Sequence, residues 1–191
     1  MTLEEMFALE DKRRPGFELL YEKVKKSENP LIVETGCTRQ PDNWFGDGQS
    51  TVVFNKMCEM HEGTLNSVDI SEDACRFARN LIGPRAHVFC GDSVRWCHEA
   101  EQIFGRINRG IDVLYLDSFD LDVNNWHPSA QHHIYELLAI KGALRPGSLV
   151  AVDDNLIMDG QHVGKGTYVA QWMAKVGKKM LHQGYQWIWE W

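Results

Sequence analysis

No apolar run in the sequence reaches membrane-spanning length, and its first residues, MTLEEMFALEDKRR, lack the basic-then-apolar order of a secretory signal. There is also no CxxC pair. The five cysteines (Cys37, Cys58, Cys75, Cys90 and Cys97) make an odd count, and Cys58 with His61 has no second Cys/His pair at zinc-site distance. These absences argue against a membrane partner, a disulfide framework and a structural zinc, and they predict a soluble cytoplasmic protein with reduced thiols. An excess of positive charge is missing too: 20 Lys+Arg stand against 27 Asp+Glu, a net charge of −7. Counterion release supplies most of the affinity for a phosphate backbone, so no stable nucleic-acid partner is expected. The basic clusters Lys12-Arg13-Arg14 and Lys23/Lys25-Lys26 lie among glutamates and read as a solvated helix face. Finally, no repeat, low-complexity tract or Pro/Gly/Ser-rich linker divides the 191 residues, so a single domain is expected.

What the sequence does have is a recurring unit, a short apolar run followed by a helix-length segment. Strands are expected at 31–33, 65–70, 86–90, 111–116 and 148–152. Helices are expected at 17–26, 50–61, from Ser71 onward, 92–104, 129–144 and 167–176. Ser71, followed by Glu72 and Asp73, is a typical helix start. Gly184 in the tail at 179–191 suggests a terminal hairpin. Alternation at this spacing predicts an α/β fold: a Rossmann-like, doubly wound, mostly parallel sheet with helices on both faces and a C-terminal strand hairpin. Trp187, Trp189 and Trp191 alternate at strand period and would form a buried face or a homodimer surface. Cys90, in an apolar strand, reads as a small buried hydrophobe.

In such sheets ligands bind at the carboxyl ends of the strands. Here each strand end is polar or acidic: Glu34-Thr35-Gly36, then Asp69, then Gly91-Asp92-Ser93, then Asp117-Ser118-Phe119-Asp120, then Asp153-Asp154-Asn155. Capping alone does not explain five together. The first loop lacks the GxGxxG spacing of dinucleotide binders, which weighs against a nucleotide-dependent oxidoreductase. An aspartate in the position of Asp69 can accept hydrogen bonds from both ribose hydroxyls of a nucleoside. Asp92 can meet an adenine amino group or simply start the next helix.

The ordered segments ETGCTR, NWFGDGQST, SVDIS, CGDS, LYLDSFDLD, HPSAQHH, LRPGSLVAVDDN and GKG resemble class I S-adenosylmethionine-dependent methyltransferases. The likeness covers roughly residues 31–166 and is strongest to the compact sugar and macrolide O-methyltransferases, which in turn are similar to catechol O-methyltransferase. It implies one methyltransferase domain over 1–191, with 1–28 an N-terminal helical extension. It also implies that Glu34 and Gly36 line the methionine moiety, that Asp69 meets the ribose and Asp92 with Ser93 the adenine, and that Thr35 and Ile70 belong to the same cofactor-binding set. Ser50 and Thr51 would help close the cofactor pocket, with Asp117 beside it.

The same resemblance implies Mg2+ at Asp117, Asp153, Asp154 and Asn155, a set of hard oxygen donors. Catechol-type enzymes carry a lysine three residues after the first metal aspartate; here that position is Asp120. The general base is therefore expected at Asp120 or Asp122, with His132 as a third candidate. The function implied is methyl transfer from S-adenosylmethionine to a hydroxyl of a small-molecule acceptor. A domain that binds S-adenosylmethionine without turnover is the alternative.

Overall fold

The computed structural model describes residues 1–158 and 160–191. The chain opens with helix α1 (Leu3–Leu9), a 3-10 turn at Asp11–Arg13 and helix α2 (Arg14–Val24). Thr2 and Glu5 form a reciprocal cap on α1: the Thr2 hydroxyl accepts the Glu5 N–H at 3.2 Å and the Glu5 carboxylate accepts the Thr2 N–H at 2.8 Å. Five parallel strands follow: β1 (Leu31–Thr35), β2 (Thr64–Asp69), β3 (Ala86–Cys90), β4 (Ile111–Leu116) and β5 (Leu144–Val152). Between them lie α3 (Ser50–Met60), α4 (Glu72–Arg79), α5 (Ser93–Arg106) and α6 (His127–Ile140). A small hairpin, β6 (Asn155–Met158) with β7 (Gln161–Gly164), precedes α7 (Thr167–Lys175). The chain ends in β8 (Lys179–Gln183) and β9 (Trp187–Glu190).

The main sheet has seven strands in the order β3-β2-β1-β4-β5-β9-β8, with β9 antiparallel to both of its neighbours. Strand order reverses between β1 and β4, so the crevice for a ligand opens above the ends of those two strands. Side chains alternate between two cores, as the pleat requires. Ile32, Val113, Tyr115, Ala151 and Ile188 face α1, α2 and α3; Val33, Leu114, Val150, Trp187 and Trp189 face α5, α6 and α7. The N-terminal extension is thus part of one core layer, where Phe17 packs edge-on to Phe54 with centroids 5.6 Å apart.

Several expectations are corrected. The sixth helix stops at Ile140 and β5 begins at Leu144, earlier than Ser148, because Arg145-Pro146-Gly147 forms a bulge: the register jumps from Ile111↔Leu144 to Val113↔Leu149. Cys90 is exposed, since β3 is the sheet's edge strand and the end of β3 lies open to solvent. Of the two readings of the tryptophans, the buried face is the one observed for Trp187 and Trp189, while Trp191 stacks on Trp172 at 5.8 Å. Hairpin β6–β7 was not foreseen. Among the described residues no helix is long and apolar enough to cross a membrane.

Candidate functional site

The turn after β1 sets the floor of the site. Gly36 has φ +81°, and a Cβ there would lie 2.6 Å from the Asp117 carbonyl oxygen, so only glycine lets the two strand ends approach this closely. Behind the turn Glu34 is fully buried and accepts three hydroxyl hydrogen bonds, from Ser50 (2.5 Å), Thr51 (2.8 Å) and Ser67 (2.6 Å). Burial pushes its carboxyl up to about 7, the three hydroxyls pulling the other way. Thr51 also accepts the Thr38 N–H at 2.9 Å. Glu34, Thr35 and Thr51 therefore support the cavity from beneath, while Gly36 and Ser50 reach its wall.

That cavity is walled by Gly36, Thr38, Asp69, Ile70, Asp117 and Ser118 among others. Asp69 is oriented by two backbone donors: Cys37 N–H to one oxygen (3.0 Å) and Ser71 N–H to the other (2.8 Å), each oxygen keeping a lone pair free. The Thr38 hydroxyl is buried on the same wall without a partner. A carboxylate with free lone pairs, an unpaired hydroxyl and a glycine cradle suit a polar ligand that offers hydrogen-bond donors.

The cavity continues, through the shared residues Ile70 and Ser118, into a more apolar recess with Asp92, Ser93, Phe119 and His132. Asp92 caps α5, accepting the Arg95 N–H at 2.8 Å, so the helix-start role holds while the residue still borders the recess. His132 Nε2 lies 2.9 Å from the Ser93 hydroxyl and 3.3 Å from the buried Glu136 carboxylate. Both partners use the same ring nitrogen, so this is an ion pair with a hydroxyl beside it and not a Ser-His-Glu relay. The hydrogen bond to Glu136 raises the His132 pKa, favouring the imidazolium. Its neighbour His133 is fully buried on the other side of α6 and held neutral, its pKa lowered to about 4 by burial.

On the opposite side, the first cavity opens into a hollow of about 490 Å³, sharing Arg39, Asp47, Asp117 and Asp120 with it. Here Asp117, Asp153 and Asp154 do converge: they offer carboxylate oxygens within 4.8 Å of one another. They are not alone. Lys165 Nζ bonds Asp117 and lies 2.8 Å from Asp154, and Arg13 Nε lies 2.6 Å from Asp153. Tyr185 donates its hydroxyl to Asp154, and the Arg13 guanidinium sits over the Tyr185 ring, 5.0 Å from its centroid. Burial and the two neighbouring carboxylates hold Asp117 well above the usual aspartate range, against the pull of Lys165. For Asp154, burial is outweighed by Lys165, Tyr185 and Arg13, which bring it down to about 2. Asp154 also has φ +52°, a left-handed conformation that costs a non-glycine residue about 1 kcal/mol or more and clusters at functional sites.

Three expectations change at this end. Arg13 belongs to no solvated face: the 3-10 turn aims it inward and it is 2% exposed, while Lys12 and Arg14 stay exposed. Asn155 is unsuited to be a metal ligand, because its carbonyl oxygen accepts the Gly166 N–H (2.8 Å) and its amide donates to the Val152 carbonyl (2.8 Å). Asp120 lines both cavities and is paired with Arg39 at 3.0 Å, whereas Asp122 closes its own turn by accepting the Asn124 N–H at 2.9 Å and borders neither cavity. Magnesium does not fit the set as it stands: two buried cations already pair with all three carboxylates, and the fourth expected donor is committed elsewhere. Sequence reasoning missed Arg13, Lys165, Tyr185 and Glu136. Only Lys165 had a local signal, its position between the two glycines of GKG.

No protein-family model and no curated protein matches the chain. Solved structures do. NSun6 from Pyrococcus horikoshii, with SFG, superposes with a TM-score of 0.58 at 10% identity over 91% of this chain and 50% of that one. SMU.1697c from Streptococcus mutans, in complex with SAH, gives 0.55 at 10% identity over 91% and 96%. LepI in complex with SAM gives 0.52 at 11% identity over 90% and 46%. The chain thus spans about half the length of NSun6 and LepI and nearly all of SMU.1697c. Identity this low speaks to architecture alone, and the architecture is that of the class I S-adenosylmethionine-dependent methyltransferases.

Proposed function

We propose that the protein transfers a methyl group from S-adenosylmethionine to a hydroxyl of a small-molecule acceptor. The observation that carries this reading is the junction at Asp117, a half-buried carboxylate that borders both the cavity beside Asp69 and the 490 Å³ hollow beside Lys165 and Tyr185. A hollow of that size falls in the range of about 300–1,000 Å³ typical of small-molecule sites. The likeness to structures crystallised with SAM and SAH supports the choice of cofactor.

S-adenosylmethionine, held by the trough beside Asp69 and Thr38, would supply an electrophilic methyl group for the acceptor oxygen, leaving as S-adenosylhomocysteine. The chain's own work is orientation and proton handling. Asp69 and Thr38 hold the polar groups of the nucleoside end. Asp117 takes the hydroxyl proton of the acceptor, a task suited to a carboxylate whose proton affinity has been raised by burial. Lys165, bonded to Asp117, supplies positive charge where the acceptor oxygen becomes negative. His132 lines the recess with Asp92 and Ser93 and not the hollow beside Lys165, and it is paired with Glu136; Asp120 is paired with Arg39, and Asp122 borders neither cavity.

The test is a methyl-acceptor screen with isotopically labelled S-adenosylmethionine, followed by Asp117→Asn. The variant should lose about 10²- to 10⁴-fold in kcat, the usual range for a general base, while keeping S-adenosylhomocysteine affinity within about threefold. Full turnover in Asp117→Asn removes the assignment of the base, and no S-adenosylhomocysteine binding by the wild type removes the reading.

A further inference from the structure

Oxygens of Asp117, Asp153 and Asp154 within 4.8 Å of one another are spaced as a divalent cation would want them. We infer that Lys165 and Arg13 hold that place permanently, so that the acceptor site runs on two resident side-chain cations and takes no divalent metal. The part of this that concerns turnover rests on the methyl-transfer reading; the part that concerns ion binding does not.

The first ground is charge. Lys165 bonds Asp117 and Asp154, and Arg13 bonds Asp153, with both cations only 2% exposed. A metal that captured these oxygens would strand a buried ammonium and a buried guanidinium without partners, the arrangement proteins tolerate least. Lys165 and Arg13 between them engage an oxygen of each of the three carboxylates, so a divalent ion at the remaining oxygens would sit against two buried positive charges that repel it.

The second ground is that the cations are built in. Gly164 and Gly166 flank Lys165, and a Cβ on either would lie 2.5 Å from the Asp154 carbonyl oxygen or 2.6 Å from the Asn155 side-chain oxygen. The Lys165 N–H donates to the Asp154 carbonyl at 3.3 Å and the Gly166 N–H to the Asn155 side chain at 2.8 Å. The end of hairpin β6–β7 therefore lies flat against Asp154-Asn155 and aims the lysine at the carboxylates of Asp117 and Asp154. Arg13 is fixed as firmly, by the Gly46 carbonyl (3.3 Å), by Glu10 (3.6 Å) and by packing on Gly48, whose φ of +81° brings the loop within reach.

Removing the lysine should turn the cluster into the metal site it resembles. The experiment is a Mn2+ titration of the EDTA-dialysed full chain, read by electron paramagnetic resonance. Wild type should show no saturable binding below about 1 mM, and Lys165→Ala should bind at least about tenfold tighter, with Lys165→Arg returning to the wild-type behaviour. One equivalent of Mn2+ bound to wild type at micromolar concentration, and lost in Asp117→Asn, would overturn the inference. So would Lys165→Ala binding no more tightly than wild type. If Lys165→Ala does not fold, the wild-type titration decides alone. S-adenosylhomocysteine titrated into the same preparation tests the methyl-transfer reading separately, because its failure to bind would sink that reading and leave the Mn2+ result standing.

Discussion

Replacing Glu34 by glutamine should make the protein relatively more stable as pH rises, and the size of the effect follows from the environment of one carboxyl. Glu34 is completely buried at the end of β1, and its carboxyl is raised from 4.5 to about 7, chiefly by burial. A carboxyl raised on folding stabilises the native state below its unfolded pKa, and that contribution is lost as pH climbs through its folded value. The window therefore runs from about 4.5 to about 7, and at about 1.36 kcal/mol per pH unit the loss comes to about 3 kcal/mol. Glutamine cannot ionise, yet its amide can still meet the hydroxyls of Ser50, Thr51 and Ser67, which rotate to accept as well as donate. The stability difference between Glu34→Gln and wild type should accordingly shift by about 3 kcal/mol in favour of the variant between about pH 4.5 and pH 8. For a chain of this length that is a relative Tm change of roughly 6–12 °C. Urea unfolding at a series of pH values measures it, and Glu10, another buried carboxyl raised to about 7, is common to both proteins and cancels. Parallel stability curves would refute the reasoning, because they would mean that the three hydroxyl donors offset the burial in full.

Asp69→Ala should weaken S-adenosylhomocysteine binding by about 1.5–3 kcal/mol in calorimetry, the scale of a charge-assisted hydrogen bond, with circular dichroism unchanged. Arg13→Met should destabilise the protein by about 3–5 kcal/mol in urea, since it leaves Asp153 buried without its 2.6 Å partner. Arg13→Lys should not rescue it, because an ammonium cannot reach Asp153 and the Gly46 carbonyl together. Gly36→Ala should cost about 1–3 kcal/mol in thermal unfolding and abolish S-adenosylhomocysteine binding, the Cβ having nowhere to go but into the Asp117 carbonyl.

The sheet was legible because its signals are local and periodic. Each parallel strand is a short apolar run, and its polar end marks where the chain leaves the sheet, so Glu34, Asp69, Asp92, Asp117 and Asp153 all stand at or just past a strand terminus. Hairpin β6–β7 was not legible, since two four-residue strands at Asn155–Met158 and Gln161–Gly164 are too short to show an alternation. The start of β5 was hidden for a different reason. Arg145-Pro146-Gly147 has the composition of a loop, and only pairing with β4 shows that strand continues on both sides of a bulge.

The acidic half of the site could be read from the sequence and the basic half could not, and the difference is one of sequence distance. Asp117, Asp153 and Asp154 sit at the ends of neighbouring strands, so the βα repeat alone brings them together. Arg13 reaches Asp153 across 140 residues, and Lys165 reaches Asp117 across 48, from a turn and a hairpin that carry no periodic signal. Nothing local separates Arg13 from Lys12 and Arg14; its burial is decided by the direction of a 3-10 turn. Charge balance, however, could have asked the question. Three carboxylates forced together in a buried crevice repel one another strongly enough to demand a counterion, and the demand is the same whether a metal or a side chain meets it. The sequence supplies the demand, and only the folded chain shows that two of its own cations answer it.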